Sequence, residues 1–246
     1  MLQLNDITLK LDENLILDRI SLNIQPGSIW GIIGPPASGK SVLVKTICGF
    51  FKPQKGNILF NGTDICKIPE TKLLEIRKQI GMLFQNNALF DFMNVWENVA
   101  FPLRRSNPDI DPELLREKAW KRLKKVGLAG SEDKLCSELS GGMQKRVGIA
   151  RATINKAPLN IYDEPTAGLD PVTTSKIYDL LLEIKRQNSS TVLAISSDVE
   201  GLRNFVDNII VLHEGKIRYS GPEKGLETST DPVVHQFVRG EEEGPL

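Results

Sequence analysis

Three short runs in this chain have residue types suited to handling phosphate. The first is Gly34-Pro35-Pro36-Ala37-Ser38-Gly39-Lys40-Ser41, which fits G-x-x-x-x-G-K-[ST]. Successive backbone N–H groups in such a loop point inward, and a helix opening at its end adds partial positive charge. Lys40 can reach the β and γ phosphates of a nucleotide, and Ser41 can ligate Mg²⁺. Alone, the motif marks a nucleoside triphosphate site, equally at home in a kinase or a nucleotide-dependent transferase.

The second run is Asp163-Glu164, entered from the apolar stretch Leu159-Asn160-Ile161-Tyr162. Adjacent carboxylates where a strand ends and the chain turns can serve a metal and a water together. Asp163 suits the Mg²⁺ shell, and Glu164 suits polarising an attacking water. The third run is Leu139-Ser140-Gly141-Gly142-Met143-Gln144. A hydroxyl, free N–H groups and a following helix make a second anion cradle. It has no lysine and no metal ligand, so by itself it is a poor site for Mg-ATP. An N-capped helix after a loop would look the same.

These runs need strands and helices to hold them. Short apolar stretches at Ile20–Ile24, Ile29–Ile33, Ile58–Phe60, Ile80–Phe84, Leu159–Tyr162, Val192–Ile195 and Ile209–Leu212 read as strands. They alternate with helical patterns such as Lys40–Phe51, which favours an α/β fold with a mostly parallel sheet. From about Asn86 to Asn155 the pattern is helical instead. Within it, Pro112–Val126 places Leu115, Ala119, Leu123 and Val126 near one face, with Arg122 among them. This stretch is expected to form a helical lobe inserted in the sheet domain. Met143–Asn155 is expected to be a helix, 221–246 is expected to be a polar tail, and its acidic end, EEEGPL, is expected to fray.

Composition excludes several classes. The chain has 246 residues, 40% of them hydrophobic, with 31 basic and 31 acidic side chains. A formal charge of zero gives no long-range pull toward nucleic acid. Cys48, Cys66 and Cys136 are odd in number and lack metal-binding spacing, so free thiols in a reducing compartment are expected. The start MLQLNDITLK lacks the features of a secretion signal, and no apolar run approaches ~18 residues. The expectation is a soluble, cytoplasmic protein, with membrane association through a partner.

The order and spacing of these motifs resemble the ATP-hydrolysing subunits of ABC transporters, over nearly the whole chain. LSGGMQ at Leu139–Gln144 looks like the family's signature motif, with Ser140, Gly141, Gly142 and Gln144 as its binding residues. Gly34–Ser41 is similar to its Walker A motif, and Gln85 to its Q-loop glutamine. Leu159–Glu164 resembles Walker B with a catalytic Glu164, and Ala167-Gly168-Leu169-Asp170 resembles the D-loop ending in Asp170. The resemblance implies one ABC ATPase domain over 1–246 with a P-loop NTPase core. It also implies an N-terminal antiparallel β portion and a helical subdomain at about 86–155. ATP and Mg²⁺ are implied, with Ser41, Gln85 and Asp163 as metal ligands. It further implies a second ATPase subunit packed head to tail, so that one Walker A faces the other's signature. The lysine-free third run then makes sense. A transmembrane permease is implied as partner, placing the chain on the cytoplasmic face of the inner membrane.

One position departs from the pattern. Where the family has a switch histidine, Ser196-Ser197-Asp198 puts Ser197. His213 lies 16 residues further on (213 minus 197) and is a poor substitute. Serine carries no charge near neutral pH, so slow hydrolysis is expected if nothing replaces that donor. Leu11 stands where an aromatic often stacks on adenine, and Ala37 where the P-loop often has glycine. The runs ALFDFMNVWENVAFPLR, ELSGGMQKRVGIARA and DPVVHQFVRG resemble the ATPases of Mla-type phospholipid transporters. That match implies an MCE-domain lipid-binding protein as a further partner. An importer of amino acids or metals, or a slow ATP-binding regulatory module, stays open at this point.

Overall fold

The computed structural model describes residues 1–245. The chain forms two compact units, Met1–Arg77 with Thr191–Leu246, and Lys78–Ser190.

The first unit begins with β1 (Leu2–Leu11), β2 (Asn14–Ile24), β3 (Ile29–Ile33), α1 (Lys40–Ile47), β4 (Lys55–Phe60), β5 (Thr63–Asp64) and α2 (Glu70–Arg77). Strands β2, β1, β4 and β5 make an antiparallel sheet in that order. Along β1, Leu2 and Leu4 are buried, then Ile7 and Leu9. Strict alternation would break between these pairs, because an extended chain repeats every two residues. A bulge repairs the phase. Asp6 has a positive φ of 49°, and its N–H donates to Ser21 Oγ at 2.9 Å. Arg19, also at positive φ, interrupts β2 in the same way. These irregularities hide β1 and the first half of β2 from a periodicity reading, which finds only Ile20–Ile24.

The second unit contains β6 (Ile80–Leu83), α3 (Val95–Ser106), α4 (Pro112–Lys125), α5 (Gly141–Thr153), β7 (Leu159–Asp163) and α6 (Pro171–Asn188). Strands β6 and β7 pair in parallel from Ile80↔Leu159 to Leu83↔Tyr162. Every residue of β7 is buried, Asn160 and Asp163 included, so the strand does not alternate between an apolar and a solvent-facing side. The three helices α3, α4 and α5 share one core, in which Val95 and Val99 meet Ala119, Leu123, Val147 and Ala150. Leu115, Ala119 and Leu123 recur every four residues, which puts them on one stripe of α4.

The chain then returns to the first unit with β8 (Thr191–Ile195), α7 (Val199–Arg203), β9 (Asn208–His213), β10 (Lys216–Pro222) and α8 (Pro232–Arg239). Strand β3 lies between β8 and β9, parallel to both, and β10 adds antiparallel to β9. The α/β class expected from the sequence is the class that forms. The tail after Ser220 carries more structure than its polar composition suggests, up to Arg239. Helix α8 buries Val233, Val234 and Gln236. Asp231 caps it by accepting from the N–H groups of Val233 and Val234, Pro232 fills its first turn, and Gly240 closes it in a left-handed conformation. Those start and stop signals are in the sequence, masked by the acidic run that follows.

The segment between β6 and α3 is held by one buried amide. Asn98 is fully buried. Its Oδ1 accepts from the Phe90 N–H at 2.8 Å, and its Nδ2 lies within 3.1 Å of the carbonyl oxygens of Phe90, Met93 and Asn94. Truncation would strand these backbone groups in a dry site, at about 1–3 kcal/mol. Asn98→Ala is therefore expected to lower the urea midpoint by that free energy at unchanged m-value, measured by equilibrium unfolding. An unchanged midpoint would mean that water replaces the amide.

Candidate active site

In the first unit, the loop Gly34–Gly39 leaves β3 and opens α1. Two of its glycines are required by space and angle. A Cβ on Gly34 would lie 2.0 Å from the Leu212 carbonyl oxygen, and Gly39 sits at a φ of 103°. Ala37 adopts a φ of 59°, the left-handed region that costs a side-chain residue about 1–2 kcal/mol. The missing glycine noted in the sequence thus falls at a strained position. Lys40 folds back over the loop. Its Nζ donates to the carbonyls of Gly34 at 2.7 Å and Pro35 at 2.8 Å, and lies 3.3 Å from Ser38 Oγ.

Helix α1 has no side-chain cap and no acid in its first turn. By contrast, α3, α4, α5, α6, α7 and α8 are each capped by a side-chain oxygen. The leading N–H groups of α1 are left to other acceptors, and an anion is the natural one. Ser197 belongs to this unit as well, exposed just past β8. Leu11 ends β1.

In the second unit, Asp163 ends β7 and Glu164 follows at a φ of 50°. Both are nearly buried, at 7% and 9% exposure. The left-handed step at Glu164 ends the extended chain abruptly, so the two carboxylates are not simply on opposite faces of a strand. Beside them stands a residue the motif reading passed over. Lys145, 4% exposed on α5, donates through Nζ to the Gln85 carbonyl at 3.2 Å and to the Glu164 carbonyl at 3.1 Å. Burial pulls the Lys145 ammonium below the ordinary lysine range, and the charges of Glu164 and Asp163 draw it back up. The unit thereby brings Gln85 and Glu164 to one cation. A buried lysine directly after LSGGMQ was the available signal, because a cation is seldom buried without a partner.

The signature run opens α5. Ser140 is its N-cap, accepting from the Met143 N–H at 3.4 Å, and Gln144 Nε2 donates to the carbonyls of Cys136 and Leu139. Ser140 and Gly141 are exposed, and a Cβ on Gly141 would meet nothing within 4 Å. Asp170 caps α6 by accepting from the Thr173 N–H and hydroxyl, and those bonds hold its carboxyl below the usual carboxylate range.

The family model for ABC transporter matches residues 17–167. The chain belongs to the ABC transporter family. Over its full length it is 38% identical to the "Probable ribonucleotide transport ATP-binding protein mkl" of Mycobacterium leprae, covering 70% of that protein. It is 36% identical, also over its full length, to the intermembrane phospholipid transport system ATP-binding protein MlaF of Haemophilus influenzae, covering 93% of it. The dimeric structure of MJ0796, described as a bacterial ABC transporter cassette, matches with a TM-score of 0.84 and 31% identity. It covers 91% of this chain and 99% of that one. A dimeric post-hydrolysis form of the same cassette, bound to ADP and Pi, matches with a TM-score of 0.83. The fold is therefore the ABC cassette form of the P-loop NTPase, and the chain is an ATP-binding, ATP-hydrolysing member of a family that works through dimers and a membrane permease. No helix among the described residues is long and apolar enough to cross a membrane.

The Lys145 bridge makes a prediction for this ATPase. Lys145→Met leaves the buried Glu164 carbonyl and the part-buried Gln85 carbonyl without their donor, at about 1–3 kcal/mol. With about 1.4 kcal/mol per tenfold in rate, kcat is expected to fall on the order of tenfold while KM for ATP changes little. Lys145→Gln keeps a donor and is expected to recover part of the loss. Steady-state ATPase kinetics of the three forms checks this; equal loss in the Met and Gln variants would deny the bridge its positioning role.

Proposed function

We propose that this chain is the ATPase subunit of a phospholipid transporter. The observation that supports this most is the full-length likeness to MlaF, with nearly all of that protein covered. Hydrolysis in one subunit would power a separate transmembrane permease, with an MCE-domain lipid-binding protein as the further partner. The chain would sit on the cytoplasmic face of the inner membrane. The likeness to mkl supports a second reading, ribonucleotide transport, at lower coverage of that protein.

The residues present fit ATP and Mg²⁺. Gly34 leaves no room for a side chain in the loop, and α1 lacks a cap of its own. Ser41, Gln85 and Asp163 offer hydroxyl, amide and carboxylate oxygens, the hard donors Mg²⁺ prefers. Bound there, Mg²⁺ would neutralise charge on the β and γ phosphate oxygens. The backbone N–H groups of Ala37 and Gly39 and the Lys40 ammonium would hold the phosphates, since Pro35 and Pro36 have no N–H to offer; Lys40 would leave its loop carbonyls to do so. Glu164 would accept the proton of the attacking water. Gln85 would orient it, and Lys145 would fix the backbone of both.

The signature residues Ser140, Gly141 and Gly142 would close on the nucleotide of a second copy. Their exposure supports this, as does the open space at Gly141. Phe92, 76% exposed, would face the permease, whereas Leu89 and Trp96 pack against the helical core.

Glu164→Gln is expected to bind ATP normally and to lose ~10²–10⁴ in turnover, measured as phosphate release. Ser197→His is expected to raise single-turnover hydrolysis in the assembled transporter, because it restores a charged donor, each worth ~10²–10³ in such sites. A lower rate would mean the site is built around serine. Substrate class is tested by purifying the chain with its membrane partner and assaying ATP-dependent phospholipid transfer between vesicles. Turnover stimulated by ribonucleotides, without lipid transfer, would select the second reading.

A further inference from the structure

The second unit carries a cavity that none of these motifs uses. It has a volume of about 620 Å³ and lies among α3, α4 and the ends of α5 and α6. Six of its lining side chains are cationic: Lys78, Lys118, Lys121, Arg122, Lys125 and Lys156. None is acidic. The whole chain balances 31 bases against 31 acids, so this segregation is local. No residue of Gly34–Ser41, Ser140–Gln144 or Asp163-Glu164 takes part.

The charges are held in place. Lys118, Lys121 and Lys125 stand at i, i+3 and i+7 on α4, and so share one helix face. Arg122 is anchored beneath them, its guanidinium donating to the Thr153 carbonyl at the end of α5. Two of the α4 lysines have partners at the rim. Lys121 pairs with Glu117 at 2.5 Å on the exposed side of α4, and Lys125 donates to Gln187 Oε1 at 2.8 Å. An exposed pair of this kind holds its lysine weakly, at about 0–1 kcal/mol. Two amides complete the wall. Among the described residues Asn188 Nδ2 is a buried donor with no hydrogen-bond partner, whereas the Asn155 amide donates to Ser106 Oγ and its own unmet atom, Oδ1, is an acceptor that an anion would not satisfy. A buried amide donor left unmet costs about 1–3 kcal/mol, which an acceptor-rich ligand would relieve.

We infer that this cavity binds a small soluble anion carrying more than one phosphate group. Clustered lysines serve phosphate as point charges, and an arginine adds directional donors. Several cations spread around one concavity exceed what a single phosphate can engage. A concave site also focuses the field of its charges, which a flat membrane-facing patch does not. The volume falls in the range of small-molecule sites, about 300–1,000 Å³. A lipid headgroup offers similar phosphate chemistry, and the test separates the two sources.

The test is calorimetric titration of the full chain with inorganic tripolyphosphate, against Lys118→Glu/Lys121→Glu/Lys125→Glu. All three lysines are exposed. Phosphate binding at Gly34–Ser41 is common to both proteins, and equal ADP affinity in both confirms that this loop is intact. The native chain is expected to show an additional binding event, weakened by salt. The variant is expected to lose affinity for it on the order of 10²-fold, since reversed charges repel. If charge reversal prevents folding, Lys118→Gln/Lys121→Gln/Lys125→Gln removes the charge and keeps polarity. Phosphatidylcholine vesicles doped with phosphatidylglycerol form the second arm. A single event in the native chain, or an event that survives charge removal, overturns the inference. So does capture by anionic vesicles with no tripolyphosphate event, which would assign the lysines to a lipid surface.

Discussion

The ammonium of Lys145 sits where three segments of the second unit meet. It rises from α5, one residue past the signature run, and its hydrogens go to the carbonyls that begin the Gln85 loop and end the Walker B turn. Burying a cation is costly unless donors find acceptors. Here two main-chain oxygens and two nearby carboxylates meet that need. The consequence is mechanical as well as electrostatic. The loop that follows β6 and the turn that follows β7 cannot shift independently of α5 without leaving the charge unsolvated.

The same economy separates the two phosphate-handling runs. Helix α5 is satisfied within its own chain, because Ser140 caps it and Gln144 ties back to the preceding loop. Helix α1 is not, since its N-cap is Gly39, which has no side chain to offer its first N–H groups. A helix start left uncapped is an anion site in waiting. The contrast matches the roles of the two runs. In the proposed function one loop would hold the phosphates through its own backbone, and the other would present an already stable surface to them.

Backbone strain marks both places where chemistry is expected. Ala37 and Glu164 occupy left-handed conformations without the freedom of glycine. Each such residue costs on the order of 1–2 kcal/mol and persists only where its surroundings enforce it. At Ala37 the enforcement comes from a loop hemmed in by Leu212 and by its own lysine. At Glu164 it comes from a wholly buried strand that ends one residue earlier, and from Lys145 on its carbonyl.

The phosphate motifs, the α/β class and most strands were legible in the sequence, because each depends on short-range patterns. G-x-x-x-x-G-K-S needs only eight consecutive residues, and β7 announces itself as a short, mostly apolar run broken only by Asn160 before its terminal Asp163. Other features were decided by tertiary structure. The bulges at Asp6 and Arg19 shift the inward phase of β1 and β2, which no fixed period can follow. Helix α8 is held by burial of Val233 and Val234, within a segment whose composition reads as a polar tail. Phe92 and Trp96 look alike in sequence, yet Trp96 is half-buried against the helical core and Phe92 stays exposed. Asn98 and Lys145 carry no motif at all. What each does depends on carbonyl oxygens that only the folded chain places around it. A side chain's type shows which bonds it can make, and the fold determines which groups come within reach.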